Sequence, residues 1–336
     1  MTSRRIVPAE WAPHRAMWLG WPSHADLWAE DLAEAQGEVA ALARALAGPG
    51  AERVRLLVHG DEAAAAAHIA LEGSGVEVVM GRFGDIWLRD TGPIFTREAG
   101  ADIAVGFRFN GWGGKYELPH DDEVAGQIAS HAGVVMQSVD AVMEGGALDH
   151  DGFGTVLTTR QCLLNPNRNE NWVERNAEAV LDGALGARKV LWLGDGLRND
   201  HTDGHVDNLA RFVAPGVVAC PISWGKTDPN AGVYDETAKA LSQMTDARGE
   251  RLQVLRIPSP GRMVNEDGDV VPASHMNFLI ANEAVIVPTY ADAQAGRLAV
   301  EAVQSAFPER QVIGLPSTAI LTGGGSFHCI TQQEPA

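Results

Sequence analysis

The sequence predicts an α/β fold built from about five repeated strand–helix–strand units. Short apolar runs alternate along the chain with amphipathic segments, which is the pattern of α/β proteins. Polar loops interrupt this pattern at near-regular intervals: the markers Asp90, Glu144, His205, His275 and Cys329 are separated by 54, 61, 70 and 54 residues. Such a period is typical of a repeat whose loops point to a shared axis. The alternative is an ordinary α/β sheet with its loops at one end.

The first unit is predicted from residues 8–80. Residues 8–22 are rich in Trp and Pro and predict a short strand that enters a loop. Apolar residues then recur at spacings of three and four from Trp28 to Leu46, which predicts an amphipathic helix that ends at Gly48. Strands are predicted at 54–58 and 76–80, and Asp61 is predicted to cap the helix between them.

The same order recurs along the rest of the chain. We predict strands at 103–109, 134–139, 155–159, 190–193, 254–257 and 312–315, hairpins at 209–213 with 217–220 and at 276–280 with 284–287, and helices at 121–131, 170–181, 228–244 and 291–307. No linker or low-complexity segment divides these elements, so residues 1–336 are expected to form one domain.

Composition limits the class of ligand. Apolar and charged fractions of 45% and 21% are typical of a globular protein. The formal net charge of −18 argues against nucleic acid, because its binders carry basic surfaces. An acidic cleft favours a small cationic ligand, although a solvated acidic surface accounts for most of the charge.

Three widely spaced cysteines, Cys162, Cys220 and Cys329, form neither a disulfide framework nor a metal-ligand cluster. They fit a reducing cytoplasm, where we expect the protein to be located. The first ten residues lack the apolar stretch of a signal peptide, and no run is long enough for a membrane span. Apolar neighbours of Cys162 and Cys220 indicate packing.

Cys329 is the candidate nucleophile. It follows the glycine-rich segment Gly323-Gly324-Gly325, and polar residues come after it. Glycines leave space beside the backbone, so a thiol placed after them can lie at the floor of a cleft. The alternative is a packed core cysteine, since free Cys is among the most buried residue types.

His205-Val206-Asp207 is the second candidate. If these residues lie on a strand, His205 and Asp207 share one face and combine a proton carrier with a fixed negative charge. A metal site is an alternative, because His201 and His205 have helical i, i+4 spacing. Gly204 and the turn chemistry of Asp203-Gly204 argue against a helix there.

Residues 85–93 and the Glu144-Gly145-Gly146 turn supply further carboxylates. Asp90 is a candidate cation ligand, and Trp87 offers an aromatic face to the same cation. The alternative is a surface ion pair between Arg89 and Asp90, with Trp87 in the core. A planar guanidinium pairs bidentately with carboxylates. A thiol, an imidazole and two acids therefore suggest attack on a guanidino carbon.

Five segments in this order resemble the agmatine deiminase family and its bacterial peptidyl-arginine deiminase relatives: residues 6–22, 85–93, 162–169, 203–208 and 323–333. The resemblance implies the pentein α/β-propeller fold, in which five pseudo-symmetric blades surround a central active-site axis. It also implies that the enzyme needs no metal and no organic cofactor. A homo-oligomer is left open.

The resemblance assigns a role to each candidate residue. These roles are nucleophile for Cys329, general acid/base for His205, guanidinium binding for Asp90 and Asp207, and substrate contacts for Trp87 and Glu144. The implied reaction is hydrolytic deimination of agmatine to N-carbamoylputrescine and ammonia through an S-alkylthiouronium intermediate, a step towards putrescine. Alternatives are deimination of arginine, peptidyl-arginine or another guanidino compound, amidinotransfer to an amine, and silent binding of cationic metabolites.

Two residues depart from the family pattern. Asp149 stands where a histidine is expected, and His201 where many relatives have an acid. Both are expected near the far end of the substrate, so deimination of a guanidino group is implied more firmly than agmatine itself.

Overall fold

The computed structural model describes residues 4–336, and the strands within this range form five separate small sheets. The strands are β1 (His14–Gly20), β2 (Val54–Val58), β3 (Glu77–Met80), β4 (Ile94–Glu98), β5 (Ala101–Arg108), β6 (Val135–Val142), β7 (Asp149–His150), β8 (Thr155–Thr159), β9 (Lys189–Leu193), β10 (Arg211–Ala214), β11 (Val217–Ile222), β12 (Gln253–Pro258), β13 (Leu279–Ile280), β14 (Ala284–Thr289), β15 (Gln311–Pro316) and β16 (Thr331–Pro335).

Four sheets repeat one connection. A first strand pairs antiparallel with the second, and the chain crosses over to a third strand parallel to the second: β4-β5-β6, β7-β8-β9, β10-β11-β12 and β13-β14-β15. The helices and helical turns are α1 (Ala25–Trp28), α2 (Leu32–Ala47), α3 (Asp61–Ala70), α4 (Leu88–Thr91), α5 (Gly111–Gly114), α6 (Val124–Ala132), α7 (Arg160–Leu163), α8 (Glu174–Leu185), α9 (Ala231–Leu241), α10 (Ala293–Ala306) and α11 (Thr318–Thr322).

The fifth sheet joins the two ends of the chain. Strand β16 pairs antiparallel with β1, with Met17 opposite Gln333, and β1 pairs parallel with β2, which pairs parallel with β3. Because β16 begins at Thr331, this pairing fixes the segment that carries Cys329 against the first unit of the chain.

A single helical turn precedes the first strand of every sheet. These turns are α4 before β4, 3-10 turns at Gly145–Ala147, Val206–Asn208 and His275–Asn277 before β7, β10 and β13, and the turn at residues 327–330 before β16. Consecutive turns contact one another. The five polar loops therefore meet, and the prediction of about five repeated units is confirmed.

The middle strands are the most buried elements. All residues of β8 are buried, as are the first five of β14, because a sheet covers one face and a helix the other. Against β14, Ala299 and Val303 of α10 fill the same apolar cluster as Val285 and Val287. The strand predictions at 54–58 and 155–159 match β2 and β8 residue for residue.

Several elements differ from the sequence predictions, including the strand predicted at 276–280, of which only Leu279–Ile280 forms a strand. Strand β4 was not predicted, since its polar end, Thr96-Arg97-Glu98, interrupts the apolar run. Asp61 does not cap α3, because it is the first helical residue and Gly60 precedes it. Trp28 does not belong to the long helix, which begins at Leu32 after a 3-10 turn at Ala29–Asp31.

Of residues 4–336, no helix is both long and apolar enough to cross a membrane. Residues 1–3, part of the segment that lacks signal-peptide character, lie outside the described residues. The assignment of the whole chain to one domain stays a prediction.

Candidate active site

A cavity of about 340 Å³ opens beside the meeting point of the five turns. Four aromatic side chains contribute to its walls, and Cys329, which is 5% exposed, lies at its inner end. The lining residues are Leu27, Trp28, Ala29, Glu30, Asp31, Asp85, Trp87, Asp90, Trp112, Tyr116, Leu118, His201, Thr202, Thr322, Gly323, Gly324, Gly325 and Cys329. Of the predicted site residues, Trp87, Asp90 and Cys329 therefore contact the space that a small molecule can fill.

The Cys329 thiol lies between an amide and a carboxylate. The side chain of Asn277 donates to Sγ at 3.1 Å, and Oδ2 of Asp207 lies 3.6 Å from the same sulfur. Burial raises the pKa of the Cys329 thiol well above its ordinary value, and the charges of Asp207 and Asp90 raise it further. The thiol is therefore protonated near neutral pH until a positive charge enters the site.

The glycines before Cys329 are required for two different reasons. A Cβ on Gly323 would lie 2.8 Å from the Trp87 ring and 2.9 Å from the Trp28 ring, and a Cβ on Gly325 would lie 2.5 Å from Trp87. Gly324 has a φ of +103°, which side chains disfavour. The segment can therefore pack flat against the aromatic wall.

Asp90 is held in α4 by two donors. The Trp112 indole donates to Oδ2 at 2.8 Å, and the backbone N–H of Gly146 donates to Oδ1 at 2.9 Å. Burial raises the pKa of Asp90, and the nearby acids Asp207 and Glu144 add to this against the opposing effect of His205. A bound cation would relieve this repulsion.

Arg89 does not pair with Asp90, so the surface ion-pair interpretation is wrong. Its guanidinium is buried on the other side of the turn, where it donates to the carbonyl of His328 and, at 2.7 Å, to Gln333. Asp90 is thus left free to face the cavity.

His205 lies between two acids. Its Nδ1 is 3.7 Å from Oδ1 of Asp90, and its Nε2 is 3.8 Å from Oε2 of Glu144. Burial opposes a charge on this ring, but the Asp90 carboxylate, the Cys162 thiol and Glu144 hold the pKa of His205 well above its ordinary value. The imidazolium is therefore the resting form.

His205-Val206-Asp207 does not lie on a strand, the condition under which the two side chains would share a face, because His205 is the residue before the 3-10 turn Val206–Asn208. His205 and Asp207 still converge, and Gly146 is their meeting point. A Cβ on Gly146 would lie 2.6 Å from Nδ1 of His205, 2.7 Å from Oδ1 of Asp90 and 3.1 Å from Oδ2 of Asp207. This close approach explains the glycine after Gly145 in the Glu144 turn.

Asp207 is fully buried and is fixed by an imidazole. Nδ1 of His328 lies 2.8 Å from Oδ2 of Asp207, and Nε2 of His328 lies 3.1 Å from Glu10. Burial alone would raise the pKa of Asp207, but the hydrogen bond and charge of His328 hold it below its ordinary value. The other oxygen, Oδ1, has no hydrogen-bond partner among the described residues, so it can accept one from a ligand.

Glu144 is also fully buried and does not line the cavity. Arg168 donates to its Oε1 at 2.7 Å, whereas Oε2 faces His205 and has no partner within hydrogen-bond distance in the described part of the chain. Burial opposes ionisation of Glu144, but His205 and Arg168 hold its pKa below the ordinary value. Glu144 thus acts on the site through His205.

A buried aspartate joins two tryptophans of the cavity wall. The indoles of Trp28 and Trp87 donate to the two oxygens of Asp85 at 3.0 and 2.7 Å. Their ring centroids lie 6.4 Å apart in a stacked arrangement. The flat aromatic surface beside Cys329 is therefore built from two distant segments and set by one carboxylate.

The two residues that depart from the family pattern lie in different places. His201 lines the cavity at its exposed rim, next to Tyr116, whose hydroxyl is 3.3 Å from its Nδ1. Asp149 is not near the cavity, which corrects the expectation: it is buried and binds Arg211 at 2.9 Å. Thus His201 alone of the two can touch a substrate in the cavity.

The suggested metal pair of His201 and His205 is divided between an exposed rim and a buried position. The ligand-type side chains that do cluster are Glu144, Cys162 and His205. Cys162 and Cys220 are both buried in apolar clusters, as predicted.

Several polar partners were not identified from the sequence. They are Glu10, Trp28, Trp112, Arg168, Asn277 and His328. One signal was available, because His275-Met276-Asn277 in the next unit resembles His205-Val206-Asp207, with asparagine in place of the aspartate. His275 itself binds the carbonyl of Pro258 at 2.7 Å and stacks on Tyr290, away from Cys329.

A five-blade pentein fold, with a cavity that ends at a thiol and buried acids, defines an enzyme that hydrolyses C–N bonds of guanidino groups. The chain belongs to the Porphyromonas-type peptidyl-arginine deiminase family, whose model matches residues 6–335. It is 37% identical to the agmatine deiminase of Stutzerimonas stutzeri, over 98% of this chain and 95% of that protein.

Solved structures agree with this assignment. The agmatine deiminase of Enterococcus faecalis superposes with a TM-score of 0.92 at 34% identity, covering 98% of this chain and 96% of that one. A cysteine-to-serine variant of the C. jejuni agmatine deiminase, with substrate bound, superposes with a TM-score of 0.89 at 26% identity, covering 100% and 97%. The pentein prediction is confirmed.

Proposed function

We propose that the protein hydrolyses agmatine to N-carbamoylputrescine and ammonia, with Cys329 as the nucleophile. The observation that carries the proposal is the position of the Cys329 thiol at the inner end of an aromatic cavity, 3.6 Å from Asp207 and beside Asp90. The agmatine deiminases of S. stutzeri and E. faecalis, similar over nearly their whole length, support this substrate.

Binding of the guanidinium activates the thiol. The planar cation pairs with Asp90 and with the unpartnered Oδ1 of Asp207, since carboxylates are its best acceptors. Its positive charge offsets the two acids that keep the Cys329 thiol protonated, so the thiol pKa falls and its proton leaves to solvent. Activation thus depends on a cationic substrate.

The thiolate then attacks the guanidino carbon. A C–S bond forms, and His205, which rests as the imidazolium, donates its proton to the departing nitrogen. Ammonia leaves as the C–N bond breaks, and a cationic S-alkylthiouronium remains on Cys329. The cysteine-to-serine variant of the C. jejuni relative, obtained with substrate bound, supports a cysteine in this role.

Water completes the reaction. Neutral His205 accepts a proton from a water molecule, and the water oxygen attacks the same carbon. The C–S bond then breaks, the new hydroxyl group passes its proton to the departing Cys329 sulfur, and the neutral ureido product leaves as the resting thiol re-forms. Glu144, fixed by Arg168, stabilises the imidazolium that re-forms on His205. The substrate and one water thus yield the product and one ammonia.

The cavity rim favours an amine at the far end of the substrate. Glu30 and Asp31 line it, together with the aromatic faces of Trp28 and Tyr116. Lys115 directly precedes Tyr116 in the sequence, and its ammonium group is paired with Asp203 at 2.6 Å. A carboxylate at the far end, as in arginine, would meet these acids.

An ammonia-release screen tests the proposal. Agmatine, arginine, arginine peptides and short guanidino acids are incubated without an added amine acceptor, and ammonia and the carbon product are both identified. Agmatine is expected to exceed arginine in kcat/KM by about tenfold or more, which corresponds to about 1.4 kcal/mol.

A preference for arginine or a peptide would refute the agmatine assignment. Turnover that requires an amine acceptor would indicate amidinotransfer, and binding without ammonia release would indicate a silent binder. Replacing both Glu30 and Asp31 by their amides should reduce the preference, whereas Glu34→Gln, on the exposed face of α2, should not.

A further inference from the structure

Three side chains with metal-binding atoms meet behind the cavity. One ligand atom each from Glu144, Cys162 and His205 lies within 4.8 Å of the other two, and all three residues are buried. Within residues 4–336 no other group of three or more such side chains is this close.

Two atoms of this cluster lack any hydrogen-bond partner among the described residues. They are Oε2 of Glu144 and Nε2 of His205, which face each other at 3.8 Å. Both residues are at least 99% buried. An unpaired buried polar atom costs about 1–3 kcal/mol, so the arrangement favours a ligand that binds both atoms.

Cys162 completes the group, and the proposed reaction does not use it. The thiol-bearing residue belongs to α7, whose first turn is capped by Thr159, and it does not line the cavity. The sequence analysis assigned Cys162 to packing alone. Packing alone does not account for a thiol placed beside an imidazole nitrogen and a carboxylate oxygen that both lack hydrogen-bond partners among the described residues.

We propose that Glu144, Cys162 and His205 form an inhibitory binding site for Zn²⁺ and related thiophilic divalent ions. Zinc ligands lie about 2.0–2.3 Å from the ion, so two of them on a tetrahedral ion are roughly 3.3–3.8 Å apart. For a nitrogen and an oxygen ligand the separation is about 3.3–3.5 Å, so the 3.8 Å between Nε2 of His205 and Oε2 of Glu144 needs to shorten by only about 0.3 Å. The thiol needs only a small side-chain movement to join them, and water can occupy the fourth position.

Neighbouring groups orient both ligands as they do in zinc proteins. Nδ1 of His205 faces the Asp90 carboxylate, which leaves Nε2 for the ion, and Arg168 binds the opposite oxygen of Glu144. The positive charge of Arg168 is matched by its second partner, Asp203, so it does not leave an excess cation beside the site.

The ligand set predicts which ions bind. A thiolate, an imidazole and a carboxylate suit Zn²⁺, Cd²⁺ and Co²⁺, whereas Mg²⁺ and Ca²⁺ prefer oxygen ligands alone. The cluster adjoins the cavity, because Asp90 lines the cavity and its Oδ1 lies 3.7 Å from Nδ1 of His205.

Binding would stop turnover without filling the substrate cavity. This consequence rests on the proposed function, in which His205 carries a proton on both nitrogens. A metal on Nε2 excludes that form, while Cys329 and the Asp90 face of the cavity stay free. Zinc should therefore reduce kcat rather than raise KM.

Metal binding is measured directly with Co²⁺, because a thiolate ligand produces a sulfur-to-cobalt charge-transfer band in the near ultraviolet. The full-length wild-type protein and its Cys329→Ser and Cys220→Ser variants should show the band at one equivalent. Cys162→Ser and Cys162→Ala should lose it and weaken Zn²⁺ binding in competition by about tenfold or more. Mg²⁺ should not displace the cobalt.

Each result decides between sites. A band that survives both Cys162 variants, or that disappears with Cys329→Ser, would overturn the proposal and assign the thiolate to the nucleophile. Two Cys162 variants guard against a folding defect in one of them, which circular dichroism would reveal.

Inhibition is then measured separately, with each variant normalised to its own metal-free rate. Zn²⁺ should lower kcat of the wild type and of Cys220→Ser, and a chelator should restore it. If cobalt binds through Cys162 but Zn²⁺ leaves kcat unchanged, the site exists and the role of His205 in the proposed function is wrong. If Zn²⁺ inhibits both Cys162 variants equally, the inhibitory site lies elsewhere and the proposal fails.

Discussion

Asp90 is expected to attract the positive charge of the substrate, and its own contacts fix its position in the catalytic site. It accepts hydrogen bonds from Trp112 and Gly146 and lies 3.7 Å from His205, and its burial among acids makes a bound cation favourable. We expect Asp90→Asn to lower kcat/KM for a guanidinium substrate by at least about tenfold, since a buried charge-assisted contact contributes about 2–5 kcal/mol.

A neutral ligand distinguishes the loss of the Asp90 charge from a change in the shape of the site. The inhibition constant of the ureido product should change far less than kcat/KM, because the product carries no charge at that end. Asp102→Asn, a carboxylate paired with Arg15 and Arg97 away from the cavity, should leave both values unchanged. Equal losses for cationic and neutral ligands would refute the electrostatic role of Asp90.

At the residue scale, the sequence identifies chemistry but not its supports. Cys329, His205 and Asp90 stand in polar loops where their types suggest a reaction. Asn277 and Glu10 act through partners that are distant in the chain: Asn277 contacts Cys329 across 52 residues, and Glu10 contacts His328 across 318. No local pattern predicts such contacts.

At the scale of elements, the segment from α1 to the turn at Ala29–Asp31 forms one side of the cavity through Trp28. Asp85 holds that indole and Trp87 together. The amide of Asp85→Asn has one oxygen that can accept from an indole, whereas its NH2 group would face the N–H of the other indole. That buried N–H is left without an acceptor, which costs about 1–3 kcal/mol of stability. We expect KM to rise and kcat/KM to fall by about fivefold or more.

Steady-state kinetics and tryptophan fluorescence check this prediction together. The control is Asp26→Asn, in the same segment but exposed, which should behave as the wild type. Unchanged kinetics in Asp85→Asn, despite a changed emission spectrum, would show that the spacing of the two indoles does not matter for turnover.

Elements were predictable where burial is complete. Strands β2 and β8 lie in the middle of their sheets and consist mostly of Val, Leu and Thr, residue types that favour buried strands, so their limits could be predicted. Strand β4 lies at a sheet edge and carries Arg97 and Glu98, which hid it. The single turns that carry the site have no periodicity, so the sequence left open whether His205-Val206-Asp207 lies on a strand.

At the scale of the whole molecule, a buried ionic network fastens the N-terminal segment to the catalytic turn. Glu10 accepts from Arg211, from His328 at 3.1 Å and from the backbone of Ile280 at 2.8 Å. Burial alone would raise the pKa of Glu10, but Arg211 and His328 hold it well below its ordinary value. We expect Glu10→Gln to reduce the free energy of unfolding at pH 7 by about 3–5 kcal/mol.

The pH dependence of that difference has a defined sign. The pKa of Glu10 is lower in the folded protein than in the unfolded chain, where it is about 4.3. Glu10 therefore contributes its full stabilisation at pH values above about 4.3, and the stabilisation is lost as the pH falls through the pKa of the folded state. Denaturant titrations of wild type and Glu10→Gln should therefore converge in acid. Glu77→Gln, which breaks the exposed pair with Arg53, should cost only about 0–1 kcal/mol. A gap for Glu10→Gln that widens in acid would contradict the account.

The whole fold was predictable because its repeat leaves a period in the chain. The markers from Asp90 to Cys329 recur at 54 to 70 residues, and each lies in or beside one turn of the ring. No sequence pattern predicts that β16 pairs with β1, because the two strands lie at opposite ends of the chain and meet only when the five units close into a ring.

The covalent intermediate tests the central claim most directly. Wild type, Cys329→Ser and Cys220→Ser are mixed with agmatine, quenched in acid at short times and examined by intact and peptide mass spectrometry. Wild type and Cys220→Ser should gain the mass of agmatine less one ammonia, located on Cys329. Cys329→Ser should stay unmodified, fold normally and retain less than a tenth of the turnover, since a hydroxyl forms no comparable anion. An adduct on another residue, or turnover that persists in Cys329→Ser, would contradict the assignment of Cys329 as the nucleophile.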